Sequence, residues 1–149
     1  MIIRADDFDS EYMKLTGLRR MQKKQRGNPG TRAKRRYRDE VTAFDIETST
    51  ILGTQQAVMY IWQWQIGEFT VIGRTWEEFQ DLCYRLKAQC KEDQYIVVYV
   101  HNLSFEFQFL AGIYDFQPDE VFCIESRKIL KCDMFGCLEF RCSYLHSNM

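Results

Sequence analysis

Residues 41–48 read Val-Thr-Ala-Phe-Asp-Ile-Glu-Thr, and their pattern decides the fold class. The β-branched and aromatic residues predict a strand. Because alternate side chains of a strand share a face, Asp45 and Glu47 point one way while Phe44 and Ile46 point the other. Two carboxylates at this spacing repel each other unless a cation lies between them, and such oxygen ligands suit Mg²⁺ or Mn²⁺. The alternative is an acidic strand end exposed to solvent.

The segments after this strand predict a mixed α/β sheet domain. A hairpin with a tight turn at residues 67–68 comes first, and Thr75 with Glu78 fits a capping box at the start of a helix. The apolar patterns predict helices over about residues 76–90 and 105–114, and strands over residues 57–66, 69–73, 95–100, 120–125, 127–133 and 137–144.

A second polar motif, His-Asn-Leu-Ser-Phe-Glu at residues 101–106, lies where the apolar strand 95–100 meets a predicted helix. Glu106 falls in the first helical turn, where a negative charge is favourable by itself. The functional interpretation is a third carboxylate that faces Asp45 and Glu47. Asn102 and Phe105 would then hold a nucleotide, the first by a hydrogen bond and the second by stacking.

Together the two motifs resemble those of family B DNA polymerases of the protein-primed bacteriophage type. Residues 44–48 resemble the first motif of the N-terminal 3′–5′ exonuclease region, and residues 99–106 resemble the second. The resemblance covers about residues 35–149. It implies a ribonuclease-H-like mixed sheet flanked by helices, with a two-metal Mg²⁺ or Mn²⁺ site. It implies Asp45, Glu47 and Glu106 as catalytic metal ligands, and contacts to the single-stranded 3′ end from Thr48, Tyr99, His101, Asn102 and Phe105.

The chain departs from the family's pattern in two ways. Glu106 stands where the family has Asp, and no Tyr is followed four residues later by Asp, although the family's third motif is Tyr-x-x-x-Asp. Because the residues of such a site act as a unit, we expect this chain to be incomplete as a nuclease by itself. The resemblance implies the remainder of the polymerase as a partner, and a terminal protein as a further one.

Two other functions stay open for the chain. One is a module that binds single-stranded DNA without cutting it, and the other is a structural fragment that completes a polymerase. The paired carboxylates favour the exonuclease, because a simple DNA binder has no need of acids next to phosphate. The missing Tyr-x-x-x-Asp favours the other two.

Charge divides the chain near residue 38. Residues 1–38 carry twelve Lys and Arg against four acids, whereas residues 39–149 carry eight against seventeen. We expect a flexible basic arm over residues 1–38 and the partial exonuclease domain over residues 39–149. The arm is either a solvated tail or a phosphate contact, and the residues proposed to contact DNA are Arg32, Lys34, Arg35 and Arg36.

The remaining composition favours a protein of the cytoplasm, which is the host cytoplasm if a phage encodes it. No apolar run is long enough to span a membrane, and no secretory signal is visible. Cys132, Cys137 and Cys142 with His146 could be read as a zinc site. Their spacing is wider than usual for zinc, which favours reduced cysteines that act as small apolar residues.

Overall fold

The computed structural model describes residues 1–9, 18–19, 35–125 and 128–143. These residues form a mixed α/β structure that is mostly sheet. Its strands are β1 (Ile2–Arg4), β2 (Leu18–Arg19), β3 (Arg36–Thr50), β4 (Ala57–Ile66), β5 (Phe69–Gly73), β6 (Gln94–Val100), β7 (Val121–Glu125), β8 (Lys128–Met134) and β9 (Leu138–Cys142). Its helices are α1 (Trp76–Ala88) and α2 (Leu103–Leu110), with short 3₁₀ turns at Ala5–Asp7 and Pro118–Glu120.

All of these strands belong to one sheet. The order is β1-β5-β4-β3-β6-β9-β8-β7, and β2 pairs with the start of β3. Strand β3 lies near the centre, antiparallel to β4 and parallel to β6. The hairpin predicted between β4 and β5 is confirmed, and Gly67 takes φ = 57° in its turn, a conformation that favours glycine.

Helix α1 begins as its sequence predicts. The side chain of Thr75 accepts a hydrogen bond from the backbone N–H of Glu78 at 3.1 Å, so the predicted cap is confirmed. The predicted apolar stripe, which consists of Phe79, Leu82, Cys83 and Leu86, is fully buried.

The core lies between this stripe and one face of the sheet. Phe44 is at its centre, and its ring contacts the rings of Trp62, Trp64, Phe79 and Phe140 at centroid distances of 5.1–6.3 Å. Buried Cys83, Cys132, Cys137 and Cys142 are part of the same apolar cluster, as small apolar residues would be. His146 lies outside the described residues, so the zinc interpretation stays untested.

Both described helices cover the same face of the sheet. Trp76 and Gln80 of α1 contact the α2 region, through a stacked ring pair with Phe109 and a 3.0 Å hydrogen bond to the carbonyl of Ile113. The opposite face carries Asp45 and Glu47 of β3, and no described helix lies over it. Neither helix is long and apolar enough to span a bilayer.

The sheet extends into the segment expected to be a basic arm. Strand β3 begins at Arg36 instead of residue 41, so the boundary expected between residues 38 and 39 falls inside a continuous strand. Strand β3 pairs there with β6 and β2, and the Arg36 guanidinium donates twice to the Asp93 carboxylate, at 2.6 Å each. Residues 1–9 also join the sheet, through the pairing of β1 with β5. The parts of the expected arm at 10–17 and 20–34 lie outside the described residues.

Two predicted ends differ from the structure. Helix α2 stops at Leu110, and the residues predicted to extend it to 114 form turns, with the N–H of Gly112 bonded to the carbonyl of Phe109. Strand β9 stops at Cys142, and residues 144–149 lie outside the described residues.

Candidate active site

Strand β3 runs past the end of its neighbour β6 and carries two carboxylates there. The pairing of β3 with β6 ends at Ala43 and Tyr99, and β3 continues through Asp45 and Glu47. Both acids are exposed while Phe44 and Ile46 are buried, which confirms that the two carboxylates share a face. A two-residue step in a strand separates such side chains by about 7 Å.

Glu106 reaches this region from helix α2. The chain leaves β6, turns at residues 101–102 and enters α2, whose inner side includes Glu106. The residue is only 4% exposed, and within the described part of the chain its Oε2 atom has no hydrogen-bond partner. A buried carboxylate oxygen without a partner is costly, so its position calls for a proton or a cation.

The pKa of Glu106 gives electrostatic information about its neighbours. Burial is the main cause that raises this pKa to about 7, a backbone hydrogen bond opposes the rise, and the negative charge of Asp45 adds to it. Asp45 and Glu106 therefore interact electrostatically across the end of β6, as expected for acids of one site.

The acids of this region offer carboxylate oxygens, which are ligands for a hard cation. Among the described residues, however, no three His, Cys, Asp or Glu side chains converge closely enough to form a metal-binding group. Asp45 and Glu106 interact, and Glu47 shares the face of Asp45. Carboxylate oxygens of this kind fit Mg²⁺ or Mn²⁺ better than a soft metal.

A cavity of about 330 Å³ adjoins Asp45 on the uncovered face of the sheet. Asp45 and Gln63 line it from β3 and β4, and Tyr99 and His101 line it from the end of β6. The rest of the wall consists of Ala43, Phe44, Gln65, Thr70 and Ser143. Polar and apolar groups therefore both line the space next to the carboxylate.

Of the other residues predicted to hold a nucleotide, Thr48 and Phe105 are next to Glu47 and Glu106 in the chain, and Asn102 directly precedes α2. Thr48 is half-buried at a register shift of β3, directly after Glu47. Asn102 is exposed at the first position before α2, and its side chain makes no capping bond. Phe105 is half-buried, and its ring contacts that of Phe109 edge-on at 5.5 Å.

Two of the four basic residues proposed to contact DNA lie in the described part of the chain, and both form ion pairs. Arg35 contacts Asp133 at 2.8 Å and Glu139 at 2.7 Å, and Arg36 is bound to Asp93. Arg32 and Lys34 lie outside the described residues. The predicted contacts of these four residues with DNA stay untested.

Sequence reasoning missed a buried ionic network on the uncovered face. Glu139 is 1% exposed and contacts Arg35, Lys131 and Arg141, and it also accepts a 2.9 Å hydrogen bond from the Tyr37 hydroxyl. The signal was present, because Lys131-x-Asp133 and Glu139-x-Arg141 alternate charges at the spacing of one strand face.

Comparison with known proteins yields a structural similarity without a sequence match. No protein-family model matches the chain, and no curated protein matches it. A solved structure described as "Phi29 DNA polymerase complexed with primer-template DNA and incoming nucleotide substrates (ternary complex)" is similar, with a TM-score of 0.55 and 13% identity. The match covers 70% of this chain and 20% of that polymerase chain. At this identity the similarity concerns the fold alone, and the chain spans about one fifth of its structural neighbour.

Proposed function

We propose that this chain is the N-terminal proofreading region of a protein-primed, phage-type family B DNA polymerase. Its fold would be of the ribonuclease-H-like exonuclease type, and its substrate the 3′ end of single-stranded DNA. The observation that carries the proposal is that the charge of Asp45 helps to raise the pKa of buried Glu106, although the two acids come from separate motifs. The fold similarity to a DNA polymerase supports the same conclusion.

The side chains around the cavity suggest a division of roles. Asp45, Glu47 and Glu106 would hold divalent cations, which supply an activated water and stabilise the leaving oxygen when bound. Tyr99 and His101 line the cavity beside Asp45, so they would contact the terminal nucleotide. Thr48, Asn102 and Phe105 would orient the strand from the two sides of the carboxylates.

The proposed partners follow from the same similarity. The neighbouring structure is a polymerase in complex with primer-template DNA. The remainder of a polymerase would complete the site with the missing Tyr-x-x-x-Asp motif, and a terminal protein would serve as its primer. Arg32 and Lys34 would contact the phosphates of the bound strand.

A second candidate is a fragment that binds single-stranded DNA without cutting it. The observation in its favour is that the acids of the described residues do not form a three-ligand metal group. The two candidates differ in whether the carboxylates act in cleavage, so one experiment separates them.

The test follows degradation of a 5′-labelled single-stranded oligonucleotide by the purified chain with Mn²⁺. We expect slow laddering from the 3′ end that is lost in Asp45→Asn/Glu47→Gln, in Glu106→Gln and after chelation of the metal. Asp81→Asn, which removes an exposed carboxylate of α1, is the matched control and should ladder like the unaltered chain. Binding without laddering would favour the second candidate, and the absence of both would refute the proposal.

A further inference from the structure

A β-bulge lies directly beside the two carboxylates of β3. Glu47 is the partner of Ile61, but the next residue, Thr48, is the partner of Met59, so Tyr60 is an extra residue on β4. Such bulges break the alternation of side chains and re-aim one of them. The pairing of β3 with β4 therefore shifts by one residue directly after Glu47.

Exposure along β4 shows which way the bulge turns these side chains. Met59 and Trp62 are buried in the core, whereas Tyr60 is 54% exposed and Ile61 is half-buried. Regular alternation would place Tyr60 and Ile61 on opposite faces. The bulge instead brings both side chains onto the outer face, which is also the face of Glu47.

The part of the β3–β4 pair that contains the bulge extends beyond the neighbouring strands. Pairing of β3 with β6 ends at Ala43, and pairing of β4 with β5 ends at Trp62 and Gly73. Beyond these points the two strands pair only with each other among the described residues. Tyr60 thus lies on a two-stranded projection, next in the chain to Ile61, which is the cross-strand partner of Glu47.

We propose that Tyr60 is a stacking platform for a nucleobase of the single strand whose backbone passes the carboxylates. This inference rests on the proposed function, because it assigns a base-contacting residue to the same site. An aromatic ring stacks on any base, which suits a site that must accept every sequence. The carboxylates beside it meet phosphate only through a cation, and a stacked ring would add an uncharged contact with the same strand.

The test measures the dissociation constant of a fluorescein-labelled oligothymidylate by anisotropy, with Ca²⁺ in place of Mg²⁺ or Mn²⁺. We expect Tyr60→Ala to weaken binding about 5- to 10-fold, while Tyr60→Phe, which keeps the ring, stays within about 2-fold. Tyr84→Ala is the matched control, because Tyr84 is 58% exposed on α1 and should leave the affinity unchanged.

A second oligonucleotide separates stacking from a structural effect. Abasic residues at the three 3′-terminal positions should weaken binding to the unaltered chain more than they weaken binding to Tyr60→Ala, which has already lost the stacking on Tyr60. Equal affinities of Tyr60→Ala and the unaltered chain would overturn the inference while the proposed function stands. An unaltered chain that fails to bind the single strand would overturn both.

Discussion

Glu106 is a buried carboxyl whose protonation is coupled to folding. Its pKa is raised from an ordinary 4.5 to about 7, mainly by burial. The protonated form is therefore favoured in the folded state, and the associated stability is present below pH 4.5 and is lost as the pH rises through 7. Without divalent cations, Glu106→Gln should match the unaltered chain at low pH and be more stable at pH 8 by about 1–3 kcal/mol.

Urea unfolding of both proteins, with a chelator present, at pH 4.5 and pH 8 measures this difference. The comparison isolates Glu106, because every other titrating group is common to the two proteins. A difference that does not change with pH would show that folding does not shift the pKa of this carboxyl. Saturating Mn²⁺ at pH 8 should stabilise the unaltered chain and not the variant, since a bound cation stabilises the folded state.

Local periodicity decides how much can be predicted about Asp45, Glu47 and Glu106 from the sequence. The two-residue repeat of a strand was enough to place Asp45 and Glu47 on one face. The position of Glu106 on a helix after β6 also follows from the order of the motifs. The functional interpretation of the second motif already places Glu106 facing Asp45, whereas its burial could not be predicted, because burial depends on how α2 packs against the end of the sheet.

Strands β3, β8 and β9 are held together on the uncovered face by the network around Glu139. Burial alone would raise the pKa of Glu139, but the positive charges of Arg141 and Lys131 outweigh it and lower that pKa. Replacing this one acid would leave three cations close together. We expect Glu139→Gln to destabilise the fold by about 2–4 kcal/mol, because breaking a buried pair leaves charge uncompensated.

Asp81→Asn provides the control for this prediction. Asp81 pairs with Arg85 at 3.1 Å on the surface of α1, and its side chain is mostly exposed. An exposed pair of this type contributes about 0.5 kcal/mol or less. Chemical unfolding measures the free energy of unfolding of the two variants. Similar small losses from both would mean that the ion pairs of Glu139 only offset the free-energy cost of burying its charge.

The elements differ in how far sequence predicts them. Helix α1 is specified by neighbours in the chain, the Thr75 cap and an apolar stripe, and its predicted start and stripe are confirmed. Strand β3 begins at Arg36 because it pairs there with β6 and β2, and Arg35 and Arg36 contact acids that are distant in sequence. A basic run without nearby acids in the sequence is typical of a solvated arm, so the sequence alone does not predict this start.

The whole molecule is a sheet whose described helices lie on one side. This arrangement leaves Asp45, Glu47, the cavity and Tyr60 on or beside a face that no described helix covers. The fold class followed from the order of the segments, whereas the edge of the sheet formed by residues 1–9 did not, because that segment lacks a pattern of its own.

Residues 1–9, which form one edge of the sheet, are anchored to the core by the side chain of Phe8. Its side chain is 2% exposed and contacts the ring of Phe69 edge-on at 5.8 Å, and Arg85 of α1 donates hydrogen bonds to the carbonyls of Ala5 and Phe8. Phe8→Ala should therefore destabilise the molecule by about 3–5 kcal/mol, the usual loss for a buried phenylalanine.

Ile2→Ala is the matched control for Phe8→Ala, because Ile2 lies on the same segment but is 73% exposed. Ile2→Ala should lower the free energy of unfolding by about 0.5 kcal/mol or less. Thermal unfolding of both variants measures the difference as a shift in midpoint. Equal shifts would show that residues 1–9 unfold separately from the sheet, whereas a large loss confined to Phe8→Ala would make the segment a cooperative part of the core that supports β5, β4 and the carboxylates of β3.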